Sequence, residues 1–103
     1  MAIKKYDGVI EAVRYAQDGK ISTVRVYERR GPIFTDRLLL TRQALIDELK
    51  SGKVYVAGRR KPLLASTFDV MGRVRLHKSD GREYVAGESE TAAGDRLPGV
   101  PLF

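Results

Sequence analysis

Arg73, Arg75 and His77 occupy alternate positions of one segment, and Arg82 and Tyr84 alternate positions of the next. Alternate side chains of an extended chain project to one side. A strand pair turning at Asp80-Gly81 therefore gathers all five on one wet face, with Ser79 opposite Arg82, His77 opposite Tyr84 and Arg75 opposite Ala86. Guanidinium groups offer forked donors that match phosphate oxygens. A tyrosine ring on an open sheet gives a nucleobase a surface to stack on, worth about 1–3 kcal/mol per base. Lys53, Tyr55 and Arg59 are expected beside this face, on the outward side of the preceding strand. The run Arg59-Arg60-Lys61 ahead of Pro62 reads as a loop able to touch phosphates. The same residue types also suit a plain solvated surface, because strands favour Tyr and exposed edges are protected by Lys and Arg.

A second patch is expected from Arg14, Arg25, Tyr27 and Arg29, although Ile10 and Ala12 on the same side would also suit a second core layer. Catalytic chemistry finds little to work with. The glycines are scattered as turn and cap residues rather than gathered into a phosphate-binding loop. The acidic pairs Asp7/Glu11 and Asp47/Glu48 lack a further carboxylate or histidine at a useful spacing, Ser66 has no assignable base, and His77 sits among arginines. There is no cysteine and a single histidine, which removes thiolate chemistry, disulfides and histidine-cluster metal sites. The expectation is a non-enzymatic protein with no catalytic residues, no metal and no cofactor.

The elements that must position these residues follow from local signals. Around Asp18-Gly19, a first hairpin from Gly8 to Arg30 is expected with a two-residue turn that pairs Val13 with Val24 and Glu11 with Val26. That register puts Val9, Val13, Tyr15, Val24 and Val26 on a core face and Ile10, Ala12, Arg14, Thr23, Arg25, Tyr27 and Arg29 on the other. A slip of one residue would invert the assignment. Phe34–Leu40 reads as a strand after Gly31-Pro32. A helix is expected near residues 42–50, with Thr41 as N-cap, Gly52 in the left-handed position past its end, an apolar stripe of Ala44, Leu45, Ile46 and Leu49, and Arg42, Asp47, Glu48 and Lys50 outside. Residues 53–57 read as a strand with Val54 and Val56 inward and Tyr55 outward, and 63–70 as a less regular one ending near Gly72.

Of 103 residues, 19 are Lys or Arg and 13 Asp or Glu, a net charge of +6. Residues 88–103 hold Glu88, Glu90 and Asp95 against Arg96, a net of −2, which leaves 18 basic and 10 acidic groups, or +8, on residues 1–87. A basic body of this size suits a polyanionic partner. The longest apolar stretch is the four residues Val54–Ala57, far too short to span a bilayer as a helix, and no secretory segment follows Met1. No membrane association and a cytoplasmic location are expected.

The fold class expected is α+β and mostly β: a small, strongly bent antiparallel sheet or barrel of the SH3-like or OB-like kind with one helix. A single β-rich domain is expected over residues 1–87, with 88–103 as a tail either extended or folded back. The function expected is a nucleic-acid-binding domain with weak sequence preference, using Lys53, Tyr55, Arg59, Arg60, Lys61, Arg73, Arg75, His77, Arg82 and Tyr84. The alternative is a protein-interaction module or subunit that docks a partner through Leu97, Val100, Leu102 and Phe103 of its apolar tail.

Overall fold

The computed structural model describes residues 6–30, 33–35, 38–60, 68–79, 81–87, 94–97 and 99–103. In chain order these form β1 (Gly8–Tyr15), β2 (Ile21–Arg30), β3 (Ile33–Phe34), β4 (Leu38–Thr41), α1 (Arg42–Lys50), β5 (Tyr55–Arg60), β6 (Phe68–Ser79) and β7 (Arg82–Gly87). The strands make one sheet in the order β3-β2-β1-β5-β6-β7, with β4 also pairing β2. The mostly β architecture, with one helix among the described residues, is as expected. Two features are not. The sheet is mixed rather than wholly antiparallel, because β1 and β5 run parallel over Gly8–Ile10 against Tyr55–Ala57. Parallel neighbours need a long crossover, and the chain between them, ending in α1, supplies it. Nor does the ladder close into a barrel: β7 lies at one end, and β3 and β4 beyond β2 at the other.

The β6–β7 hairpin has the expected register, with Ser79 opposite Arg82, His77 opposite Tyr84 and Arg75 opposite Ala86. Asp80 of its turn lies outside the described residues. No break occurs at Gly72, since β6 runs through it with a register shift opposite Ala57/Gly58. The 63–70 strand expected from the sequence begins at Phe68, and residues 63–67 lie outside the described residues.

The first hairpin departs from its expected turn. Ala16 N donates to Lys20 O at 2.8 Å and Gly19 N to Ala16 O at 3.0 Å, so Gln17-Asp18-Gly19 form a three-residue loop with Gly19 at φ +85°. Val13 still faces Val24, but a bulge at Glu11 sets Ile10 opposite Val26 and Val9 opposite Tyr27. One extra residue reverses the alternation beyond it. Ile10 therefore joins Val13, Val24 and Val26, while Val9 crosses to the opposite side.

Helix α1 has the expected bounds and caps. Thr41 Oγ1 accepts from Ala44 N at 3.2 Å, and Gly52 follows the C-cap Ser51 at φ +94°. Leu45 and Ile46 are buried. They join Ile10, Val13, Val24, Val26, Tyr55 and Val85 in the main core, between the helix and one side of the sheet. A smaller core on the other side collects Val9, Tyr27, Val56 and Phe68, with Tyr6 and Phe34 packed on it. The centre of the sheet is thus covered on both sides, and so the Tyr55 ring is 1% exposed rather than outward. It lies across the backbone of Gly8, its parallel partner: a Cβ there would collide with the ring, coming within 2.8 Å of Cδ2 and Cζ.

The C-terminal segment is bonded to the body at both ends. Arg96 N donates to Val85 O at 2.9 Å and Gly87 N to Arg96 O at 3.3 Å, along the outer edge of β7. Val13 N donates to Pro101 O at 2.9 Å and Phe103 N to Val13 O at 3.2 Å, where β1 has run past β5. Leu97 and Val100 between them lie in the main core. Two further outward groups of β7 are engaged: Val85 N by an Asp95 oxygen at 2.9 Å and Glu83 O by Arg42 Nη2 at 2.6 Å.

Candidate nucleic-acid interface

The strand register decides which cations share a side. Val9 faces Tyr27 on β2 and Val56 on β5, and Val56 faces Arg73 on β6. Register partners project to one side, and alternation carries the assignment along each strand. Arg25 and Arg29 fall beside Tyr27; Arg14 falls on that side of β1, past Ala12, which is opposite Arg25. Arg75 and His77 follow Arg73, and Tyr84 and Arg82 come with them on β7. The two patches read separately from the sequence therefore lie on the same side of one sheet, opposite the main core. Among the described strand residues on that side, Glu11 is the only acid, and it sits 3.0 Å from Arg25 Nε.

Exposure sorts the expected residues. Arg59, Arg75 and Arg82 are exposed, and Arg73, His77 and Tyr84 are half-buried. His77 Nε2 lies 3.0 Å from Gly87 O, so its ring is tied to the neighbouring strand. Arg59 alternates onto the opposite side from Arg73, because it follows Gly58 beyond Val56. Lys61 and the side chain of Arg60 lie outside what is described. Lys53 is exposed but engaged by Glu48 at 3.0 Å, and that hydrogen bond holds its ammonium above the ordinary lysine value. Tyr55 must be removed from the interface. It is buried in the main core, and desolvation there, aided by the charges of Glu28, Glu48 and Asp7, pushes its phenol above the ordinary tyrosine value.

The β1–β2 end of the face carries rings as well as cations. Arg29 Cζ lies 4.8 Å from the Phe34 ring centroid and 5.8 Å from that of Tyr6, and its Nε donates to Tyr6 O at 2.8 Å. Arg14 and Arg25 place Cζ 4.7 and 4.9 Å from the Phe103 centroid. Tyr27, expected on this surface, is roofed by Phe68 at 5.1 Å between centroids and is 1% exposed. Neither the cluster of Tyr6, Phe34 and Phe68 nor the seat of Phe103 was legible from the sequence, because these residues come from four distant segments.

The tail residues divide. Leu97 and Val100 are 4% and 7% exposed and belong to the chain's own core, so they are not available to a partner. Leu102 is 71% exposed, and Phe103 is half-buried against the two arginines. Asp95 is the tail residue that sequence reasoning missed. Its side chain has no exposed surface, and it accepts from Ile21 N at 2.8 Å, Val85 N at 2.9 Å, Arg42 Nε at 2.7 Å and Arg42 Nη2 at 3.2 Å. Burial alone would raise this carboxyl. The hydrogen bonds from Arg42, Val85 and Ile21 outweigh it and hold the group below the usual carboxylate range. Arg42, expected on the solvent side of the helix, is turned inward by this pair, and the bond to Asp95 raises it further above the ordinary guanidinium value.

No protein-family model, curated protein or solved structure matches this chain. No helix among the described residues is long and apolar enough to cross a membrane.

Proposed function

We propose that the chain is a small, non-enzymatic nucleic-acid-binding domain that lays a strand across the sheet face opposite its main core. One observation carries the reading: the register puts Arg14, Arg25 and Arg29 on the same side as Arg73, Arg75 and Arg82, with Glu11 the only acid among the described strand residues there. Forked donors of this kind engage phosphate oxygens without reading base edges, so affinity is dominated by phosphate contacts and sequence preference is weak. Tyr84, half-buried and opposite His77 in the register, offers a ring on the same side. The cations flank the small core of Val9, Tyr27, Val56 and Phe68 that roofs the centre of this side, so a strand would run along the β1–β2 and β6–β7 ends around it. The rival use, docking a protein partner through the tail, is left with Leu102 as its exposed apolar side chain, since Leu97 and Val100 are buried at home.

The test is titration of labelled single- and double-stranded DNA and RNA over a range of salt concentrations. Affinity should fall with a log–log slope of about −0.7 to −0.9 per phosphate engaged. Replacing Arg73, Arg75 and Arg82 together by Gln should weaken binding to all sequences alike and flatten the slope by about 2 to 3. Binding unchanged in the triple variant would overturn this face as the interface.

A further inference from the structure

Phe103 is brought to two cations by the backbone. Val13 donates to Pro101 O at 2.9 Å and accepts from Phe103 N at 3.2 Å, and this pairing delivers the ring to Arg14 and Arg25 at 4.7 and 4.9 Å. Arg14 Nε also donates to Phe103 O at 3.1 Å, and Arg25 is oriented by Glu11 at 3.0 Å. The pair therefore stands ready-made around a flat ring, on the face already assigned to a strand. Phe103 satisfies only part of what two guanidinium groups can bind. It offers a π-surface to both and one backbone oxygen to Arg14 Nε. A nucleotide offers a flat π-surface together with a phosphate, and arginine both stacks on rings and forks onto phosphates. The resident ring is also lightly held: Phe103 is half-buried, and its neighbour Leu102 is 71% exposed.

We infer that Arg14 and Arg25 form a stacking site for one base of a single strand, and that Phe103 is its resident occupant, displaced when a base enters. The inference rests on the nucleic-acid reading of this face and adds a particular site to it. While Phe103 fills the site, the competent fraction is small and the apparent affinity is reduced by that fraction.

The experiment compares the wild type with Phe103→Ala and Phe103→Leu, at one salt concentration, on a labelled twelve-residue oligothymidylate and on an abasic phosphodiester of the same length. Phe103→Leu keeps most of the apolar volume, so the test survives if the alanine variant fails to fold. Both variants should bind the oligothymidylate about two- to five-fold more tightly, the range that the lost cation–ring contact sets. Affinity for the abasic oligomer should not change, and adding Arg14→Gln to Phe103→Leu should abolish the gain. An equal gain on both oligomers, no gain, or a gain indifferent to Arg14 overturns the stacking site while leaving the wider face intact. Failure of the wild type and the variants to bind either oligomer overturns the reading of the face itself, and the site with it.

Discussion

The C-terminal segment meets the body at two charged places that differ in kind. At Asp95 a carboxylate with no exposed surface takes hydrogen bonds from three separate parts of the chain: β2, the first turn of α1, and β7. At Phe103 a half-buried ring rests on Arg14, which is exposed, and on Arg25, which is half-buried beside Glu11. A buried charge whose lone pairs are filled by fixed donors is costly to disturb, because removing one partner strands the other in a dry site. A cation–ring contact at the surface contributes about 0.5–1 kcal/mol and trades readily for water or another ring. One short segment thus carries both a structural anchor and an exchangeable contact.

The contrast can be broken most severely at the anchor. Asp95→Asn should cost about 2–4 kcal/mol of unfolding free energy in a denaturant titration, because part-buried Arg42 loses its counter-charge and the amide cannot accept from all the N–H groups that Asp95 satisfies. A cost near that of an exposed ion pair would place the anchor in the same class as the ring contact. Acid should act on the same group. Its folded-state value lies below the ordinary 3.8, so its contribution is complete above about pH 4 and is lost as pH falls through the depressed value. Thermal melts of the wild type should therefore fall more steeply below pH 4 than those of Asp95→Asn. Gly8→Ala should cost about 1–3 kcal/mol by the same denaturant method, since the added methyl meets the Tyr55 ring. It should do so without altering the acid dependence, which separates core crowding from the anchor. The smallest effect is expected at the ring. Phe103→Leu should lower stability by no more than about 1 kcal/mol, and a loss matching that of Asp95→Asn would erase the distinction.

Legibility in the sequence followed the range of the interaction. The helix was readable because Thr41 and Gly52 act on their own turns, and the β6–β7 register because Asp80-Gly81 fixes it over a few residues. The side of Tyr55 was not readable. It depends on β1 arriving in parallel and on a second core assembled from Val9, Tyr27, Val56 and Phe68. The bulge at Glu11 has no local signature, yet it exchanges the sides of Val9 and Ile10. Of the interface, the alternating arginines were visible strand by strand, and their common side needed the β1–β5 pairing to link them. Asp95 counted only as one of three acids in the net charge of the tail, because its charged partner is 53 positions away.

The stitching along β7 bears on how the protein behaves among its own copies. Unsatisfied strand amides and carbonyls are a template on which other chains can polymerise. Here much of that template is covered by the backbone of Arg96 and by Asp95 beside it with its guanidinium partner Arg42. Conditions that neutralise the acid should therefore bring concentration-dependent clumping, visible as light scattering, before the rest of the fold gives way.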